Sequence, residues 1–515
     1  MSRFKRLFDW VRRHPFALCL PIQAALLFHC LELLPAWTDE GCTLLTVPRP
    51  LSAIAAWAAG DVHPPLYFFL LHFWIQLPLP GSSLVRMRAL SVLFALLATW
   101  LIDRLWLARL PSRMRLWFLA LWTFSPCLVL YARMARSYTM QLAVAGLAWY
   151  AAWRWLEAPR NWRRLLLCAA GVALVLYVHY VPGGTILLAV NGVLALRLIR
   201  RRDWSLLRPL ALWNLLVIFA ILPWLVSLAQ ALGRWARPSP VHPVAPNFLV
   251  DGAVRLAYWF VSFSFGESSP LWAVVAALAL TPLLLYCLWR GLRPSPPWLA
   301  LILPAAVVGF IGVSRWLSSP FLPARLLFLL PFYLLLVLRG SERSPKLGAL
   351  LCGALLLLDL GALHSYFRKE DFLNKGYAVP FDQMAELVKR NSPGNTLVVL
   401  DQYNTDAFPL LDRLQRPAVL LKNEATLDAI TRQVRRGAFE TIWHVRNTHD
   451  LSPRGLNRRL EERLTSCYEV HRHLFQPYSV LERWAIRQFG WPEQPTHFYQ
   501  ALQARRRPGC AAAHP

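Results

Sequence analysis

The sequence is poor in charged residues and, among those, poor in acids. Charged side chains make up 16% of the 515 residues, with 28 Asp and Glu against 55 Lys and Arg. A soluble protein of ordinary composition carries roughly 25% charge. The deficit is matched by apolar residues, which make up 56% of the chain and give it a mean hydropathy of +0.38. The composition therefore argues against an ordinary soluble protein.

Several motifs that would indicate other chemistry are missing from the sequence. The chain has nine cysteines but no CxxC pair, and no His/Cys cluster has the spacing of a zinc site. No glycine-rich phosphate loop opens a predicted helix, and there is no internal repeat. Cys42, Cys467 and Cys510 are predicted to face an oxidising compartment, which leaves a disulfide among them open. Nothing in the sequence favours a nucleotide site or a zinc site.

Long apolar runs dominate the first two thirds of the chain. Runs of about 20 residues recur from Phe16 to Leu363, and each can cross a hydrocarbon core of about 30 Å. The first, at 15–35, follows a basic stretch but lacks a small-x-small cleavage site, so we expect an uncleaved span. The net charge of +27 lies mostly on arginines in short clusters between the runs, as the positive-inside rule expects of cytoplasmic loops. We therefore predict a polytopic membrane protein that binds no nucleic acid.

The arginine clusters also predict the topology. If they are cytoplasmic, the chain is an α-helical membrane protein with about 11 transmembrane helices and a cytoplasmic N-terminus. The segment 65–79, "PLYFFLLHFWIQLPL", is apolar but short, and we expect it to be an interfacial or partly inserted helix of the first external loop. The other external stretches are predicted at about 131–138, 178–184, 229–270 and 314–322.

From about residue 366 the long apolar runs end and the proportion of charged residues rises. Short β-branched apolar runs at 396–401, 418–422 and 441–446 are typical of strands. Segments with helical spacing, "DAFPLLDRL", "TLDAITRQVRR" and "GLNRRLEERL", lie between and after them. This alternation predicts a soluble α/β domain with a mainly parallel sheet. The predicted domains are thus a transmembrane domain at 1–365, an external α/β domain at 366–505 and a disordered tail at 506–515.

Four polar clusters lie on the predicted external face. They are "TDEG" at 38–41, "GDVHPPL" at 60–66, "YARMARSY" at 131–138 and "FLPARLLFLLP" at 321–331. Ionisable side chains at such positions are costly and are candidates for function. Carboxylates in the first loop and arginines in later ones suit a reaction on a negatively charged, lipid-linked substrate, since guanidinium groups match phosphate geometry.

These clusters resemble those of the multi-spanning C-type glycosyltransferases that use polyprenyl-phosphate sugars. Within that superfamily, the chain is most similar to protein O-mannosyltransferases and to bacterial transferases that attach aminoarabinose to lipid A. "TDE" matches the Asp-Glu motif of the first external loop, and "DVHPPL" matches the segment that closes the loop. "SPCLVLYARMARSY" and "PARLLFLLPF" resemble the arginine stretches of the family, although Leu326 stands where the family usually has Tyr. The resemblance covers about residues 1–340.

The resemblance implies a mechanism and a set of site residues. Asp39 would be the general base that deprotonates an acceptor hydroxyl, and one displacement would invert the anomeric carbon. Glu40 would orient the acceptor or bind a divalent cation, so metal dependence stays open. The donor phosphate would be held by four residues: His63, Arg133, Arg136 and Arg325.

The resemblance also implies partners and a location. The donor would be a polyprenyl-phosphate sugar, and the acceptor a lipid, a protein hydroxyl or a glycan. The Arg-rich loops and bacterial-type motifs predict a bacterial inner membrane, with the active site and the C-terminal domain in the periplasm and membrane lipids around the helices.

Each assignment has a structural alternative. Asp39 and Glu40 could instead cap the N-terminus of a helix. His63 could be a turn residue, and the arginines could extend from helix ends to the membrane surface. His179 in "YVHYVPGG" is interpreted as part of an aromatic belt, and Glu267 in "SFGESSP" as a residue of a surface helix near the site. A flippase or transporter of lipid-linked sugars would share the donor but needs no base. No repeat of the kind common in transporters is present.

Overall fold

The protein is described from a computed structural model. The described residues are 14–61, 63–236, 247–293, 297–317, 321–342, 344–392, 394–401, 414, 418–448, 452–475, 484, 488 and 499–507. They form two compact units. The first consists of residues 1–31 and 46–368, and the second of residues 32–45 and 369–515. The second unit therefore takes a short segment from near the N-terminus as well as the C-terminal part of the chain.

The described part of the first unit is built from helices. The segment 38–46 joins the two units in sequence, and its helix is counted here as α2. The helices are α1 (Pro15–Phe28), α2 (Thr38–Thr46), α3 (Leu51–Gly60), α4 (Leu66–Ile75), α5 (Ser83–Ile102), α6 (Ser112–Phe124), α7 (Pro126–Ala132), α8 (Tyr138–Glu157), α9 (Trp162–Val178), α10 (Tyr180–Arg201), α11 (Leu207–Trp235), α12 (Phe248–Phe265), α13 (Leu271–Leu292), α14 (Pro297–Trp316), α15 (Leu330–Ser341) and α16 (Pro345–Arg368). A π-helical turn at Asp103–Leu107 extends α5, and a 3-10 turn at Pro323–Leu329 precedes α15.

Seven helices among the described residues are long and apolar enough to cross a membrane, and the bent pair α6–α7 would make an eighth. The polytopic membrane fold predicted from the sequence is thereby confirmed. A count of about 11 crossings requires some of the shorter apolar helices, such as α1, to cross as well. Helix α4 has ten residues, which gives a length of about 15 Å, half of a hydrocarbon core. The segment 65–79 therefore forms a helix too short to span a membrane by itself.

Helix boundaries in the first unit follow local sequence signals. Ser82 caps α5, its side chain accepting from the N–H of Val85. Helices α6 and α7 meet at an angle of 50° because Pro126 has no N–H to continue the helical ladder. Ser125 at this break accepts from the N–H of Leu128 and so starts α7. The break places a polar residue inside the helical unit.

The second unit contains a five-stranded sheet in the order β2-β1-β3-β5-β4. The strands are β1 (Thr396–Asp401), β2 (Ala418–Leu421), β3 (Thr441–Asn447), β4 (Tyr468–Phe475) and β5 (Tyr499–Arg506). β1 pairs in parallel with β2 and β3, which confirms the three predicted strands. β5 pairs antiparallel with β3 and β4, so the sheet is mixed rather than mainly parallel.

Helices cover both faces of this sheet. Val398 and Leu400 pack with α17 (Phe381–Arg390) on one face, while Leu397 and Val399 pack on the other. The second face is covered by α18 (Glu424–Arg435) and α19 (Leu456–Thr465), which lie on the predicted segments "TLDAITRQVRR" and "GLNRRLEERL". Alternation along β1 thus buries both faces in an α/β/α arrangement. The predicted C-terminal α/β domain is confirmed.

Other predictions for this region have mixed outcomes. Cys467 is disulfide-bonded, whereas Cys42 is not part of a disulfide. The predicted helix "DAFPLLDRL" lies outside the described residues except for Leu414. Of the tail predicted to be disordered, residues 508–515 lie outside the described residues, and Arg506 is the last residue of β5.

Candidate active site

Asp39 and Glu40 lie in the first turn of helix α2. Glu40 is fully buried, and its carboxylate accepts from the N–H of Trp37 at 3.4 Å. This is the half of a capping box in which an acid in the third helical position bonds the residue before the helix. Asp39, one position earlier, is only partly buried. Glu40 therefore supports the N-terminal end of the helix, and Asp39 is the more exposed of the two acids.

His63 lies at the centre of a buried polar cluster in the first unit. Its Nδ1 is 2.8 Å from Asp61 Oδ2, and its Nε2 is 2.9 Å from Arg136 Nη2. Burial lowers the pKa of His63 more than the Asp61 carboxylate raises it, and Arg136 lowers the pKa further. A neutral ring donates from Nδ1 to Asp61 and accepts at Nε2 from Arg136. This tautomer, assigned from the hydrogen bonds, fixes the orientation of the Arg136 guanidinium.

Arg136 is only 2% exposed and is held at both ends. Its guanidinium carbon lies 5.6 Å from the centre of the Phe68 ring, within the range of a cation–π contact. Its backbone carbonyl accepts from Ser91 Oγ at 3.2 Å. Phe68 follows "DVHPPL" in α4, whereas Ser91 comes from α5. The position of Arg136 is therefore determined by three separate segments.

His179 and Arg325 complete the cluster. The His179 ring lies edge-on to the His63 ring at 6.2 Å between centroids. Burial lowers the pKa of His179 well below its usual value, and His63, Arg325 and Arg136 lower it further. Arg325 is 7% exposed, and its charge also lowers the pKa of His63. We call Asp61, His63, Arg136, His179 and Arg325 the arginine–histidine cluster.

The cluster is mostly buried, and its five members include two guanidinium groups and one carboxylate. Burial favours the neutral form of both histidines, because it lowers their pKa values. An anion is attracted to such a site more strongly than in water, since the surroundings have a low dielectric constant. The arrangement is therefore suited to a singly charged phosphodiester, with arginine donors directed by a histidine.

Arg133 does not join this cluster. Its Nη1 donates to the carbonyls of Leu26, Leu27 and His29, and its Nη2 donates to the carbonyl of Cys30 at 2.6 Å. Its Nε donates to Tyr366 Oη at 2.9 Å. The guanidinium thus binds the carbonyl end of α1, a position that also suits a cation on account of the helix dipole.

Glu267 is not on a surface helix, contrary to expectation. It is 1% exposed and accepts from Tyr258 Oη at 2.5 Å, from Ser262 Oγ at 2.8 Å and from Tyr131 Oη. Burial raises the pKa of Glu267, while the three hydroxyl donors lower it. The acid therefore joins the "YARMARSY" segment to the end of α12.

The structure thus brings three of the six predicted residues together. His63, Arg136 and Arg325 share one cluster, Arg133 lies at the end of α1, and Asp39 and Glu40 belong to the second unit. Two members of the cluster were not predicted. Asp61 stands in the motif "DVHPPL" two residues before His63, and this spacing was an available signal. His179 was interpreted as part of an aromatic belt but lies beside His63 instead, and its place on the predicted external face was the only signal.

Among the residues that the structure describes, no three His, Cys, Asp or Glu side chains are arranged to hold a metal ion.

The fold is similar to that of ArnT from Cupriavidus metallidurans. The apo crystal structure superposes with a TM-score of 0.58 at 12% identity, covering 99% of this chain and 100% of that one. The structure bound to undecaprenyl phosphate gives a TM-score of 0.51 at 12% identity, covering 97% and 99%. No family model and no curated protein matches the sequence. The likeness shows the fold that the motif resemblance implied.

Proposed function

We propose that the protein is a glycosyltransferase that takes a sugar from a polyprenyl-phosphate donor. The observation that carries the proposal is the arginine–histidine cluster, which places two buried arginines in a chain whose fold is similar to that of ArnT over 99% of its length. One ArnT structure contains undecaprenyl phosphate. A cationic site among membrane helices suits the phosphate of such a lipid.

In this proposal, Arg136 and Arg325 hold the donor phosphate. A polyprenyl-phosphate sugar is a phosphodiester with one negative charge, and the departing polyprenyl phosphate is a monoester with a charge between about −1.5 and −2. The attraction of the cluster for the phosphate therefore grows as the bond to the sugar breaks, which is the condition for catalysis. His63 acts through Arg136, because it accepts from the guanidinium and is fixed by Asp61.

Asp39 is proposed as the general base. It would take the proton of the acceptor hydroxyl while the hydroxyl oxygen attacks the anomeric carbon. The bond from that carbon to the phosphate oxygen breaks with its electron pair on the phosphate, and the anomeric centre inverts. Glu40 would support Asp39 through the first turn of α2, since its carboxylate bonds the N–H of Trp37.

The proposal extends to location and domain organisation. A disulfide at Cys467 supports an oxidising compartment for the second unit, which in a bacterium is the periplasm. The transmembrane domain would be 1–365 and the periplasmic domain 366–505. The acceptor would be a lipid, a protein hydroxyl or a glycan.

The test is transfer of a radiolabelled sugar by the full chain in lipid nanodiscs. Undecaprenyl phosphate carrying aminoarabinose, mannose or galactose would be supplied with lipid A and with a peptide acceptor. We expect label on one acceptor from wild-type protein and loss of transfer in Asp39→Asn. Binding of undecaprenyl phosphate without transfer from any donor would favour a flippase. Absence of both binding and transfer would refute the proposal.

A further inference from the structure

A small polar cavity lies inside the first unit, apart from the arginine–histidine cluster. Its polar lining comes from Ser125 at the α6–α7 break, Ser264 in α12, Tyr333 in α15 and Asp359 in α16, and the rest of the lining is apolar. The space open to the centre of a water-sized sphere is about 20 Å³. A cavity of this size has room for one water molecule or one small ion.

Asp359 is the unusual member of this lining. Its side chain is 95% buried, since the residue is 5% exposed. It lies nine residues before the end of α16 (Pro345–Arg368), a distance of about 14 Å along the helix. Within the described part of the chain, no side chain forms an ion pair or hydrogen bond with its carboxylate. An isolated carboxylate in such a place is expensive and calls for a compensating charge or a proton.

The other polar groups around the cavity are oxygen donors. The hydroxyls of Ser264 and Tyr333 are hydrogen-bonded to each other, which leaves lone pairs on both oxygens. Ser125 Oγ accepts from a backbone N–H and keeps a second lone pair. Among the described residues, no arginine, lysine or histidine lines the cavity. Three hydroxyl oxygens and one carboxylate form a set that hard cations prefer.

The helix break deprives the Leu121 carbonyl of its usual helical donor. The N–H of Ser125 donates to the carbonyl of Trp122 at 3.4 Å rather than to that of Leu121, four residues earlier. Leu121 also lines the cavity. Broken membrane helices commonly supply such carbonyls to cation sites.

We propose that this cavity binds one monovalent cation of the size of sodium, with Asp359 as the charged ligand. One carboxylate and one monovalent cation are neutral together, so the pair avoids the cost of a net charge among membrane helices. A divalent cation would leave a net positive charge, and it normally takes more than one carboxylate. The ion would join four helices that are distant in sequence. This inference is independent of the proposed transferase activity.

The experiment is direct binding of ²²Na⁺ to the full chain in nanodiscs at pH 8, with choline chloride keeping the ionic strength constant. We expect saturable binding of one ion per chain, displaced by unlabelled NaCl and at least tenfold less well by KCl. Tyr333→Phe removes one oxygen and should weaken binding at least tenfold. Asp359→Asn should abolish it, whereas Asp203→Asn, the same change at a partly exposed residue that does not line the cavity, should leave it intact.

If Asp359→Asn fails to fold, sodium binding by the wild-type protein and by Tyr333→Phe still tests the proposal. No saturable sodium binding by wild-type protein would mean that Asp359 is protonated and that the cavity holds water. Equal displacement by KCl would overturn the assignment to sodium. Unchanged binding in Asp359→Asn or Tyr333→Phe would place the ion elsewhere and refute the proposal.

Discussion

Arg133 and Arg136 are three residues apart in one motif, yet the structure predicts different consequences for the same substitution. Arg136 is bonded to His63 within the arginine–histidine cluster, whereas Arg133 binds the carbonyl end of α1. Lysine keeps the charge at both positions but loses the planar fork of donors. Arg133→Lys is therefore the matched control for Arg136→Lys, because the same substitution is made three residues away.

The expected magnitudes follow from the bonds that lysine cannot replace. In Arg136→Lys, loss of one charge-assisted bond to phosphate costs about 1.5–3 kcal/mol, which weakens donor binding roughly 10- to 150-fold. In Arg133→Lys, the ammonium cannot reach both Tyr366 and the carbonyls of His29 and Cys30. Two groups left unsatisfied at roughly 1–3 kcal/mol each would destabilise the fold by about 2–6 kcal/mol.

The assay measures binding of labelled undecaprenyl phosphate and thermal unfolding in the same nanodisc preparation. Arg136→Lys should bind weakly and unfold near the wild-type temperature. Arg133→Lys should unfold at a clearly lower temperature and bind normally while folded. Equal loss of binding in both variants would refute the division of roles, as would full binding by Arg136→Lys.

Three other predictions follow from the two units. Asp39→Asn should slow transfer roughly 10²- to 10⁴-fold with donor binding intact, and Glu40→Gln should slow it less; near-normal transfer in Asp39→Asn would reduce this acid to a helix cap, because Asn caps equally well. The lowered pKa values of His63 and His179 keep both rings neutral in the folded state, whereas the unfolded chain takes up protons below about pH 6.5. The free energy of unfolding should therefore fall as the pH drops through that value. His179→Gln should make this pH dependence smaller. An unchanged dependence in the variant would contradict the neutral state of His179 in the folded protein. Alkaline phosphatase fused after residue 370 should be active, and inactivity would mean that the C-terminal domain is cytoplasmic.

The sequence predicts elements whose local pattern is strong. β1 and β3 are short runs of β-branched and apolar residues, and both form as expected. β4 and β5, "YEVHRHLF" and "YQALQARR", have no such run. They become strands because they pair with each other and with β3. Pairing across the chain is a tertiary effect that a local pattern does not contain.

The same limit applies to the site. His63 and Arg136 could be predicted because each lies in a recognisable polar cluster on the external face. The association of His63 with His179 depends on the packing of helices more than 100 residues apart. The role of Arg133 could not be predicted either. Its acceptors are backbone carbonyls, which every residue has, so no sequence pattern marks them.

The discontinuity of the second unit has a consequence for how the protein is made and how it should be truncated. Residues 32–45 leave the ribosome early, yet their packing partners begin at residue 369. Trp37, for example, meets the ring of Tyr377 edge-on at 5.3 Å. The segment that carries Asp39 therefore waits for more than 300 residues of synthesis before its native contacts exist, a long loop to close. A chain shortened at residue 368 would keep its membrane helices and leave this segment without its partners.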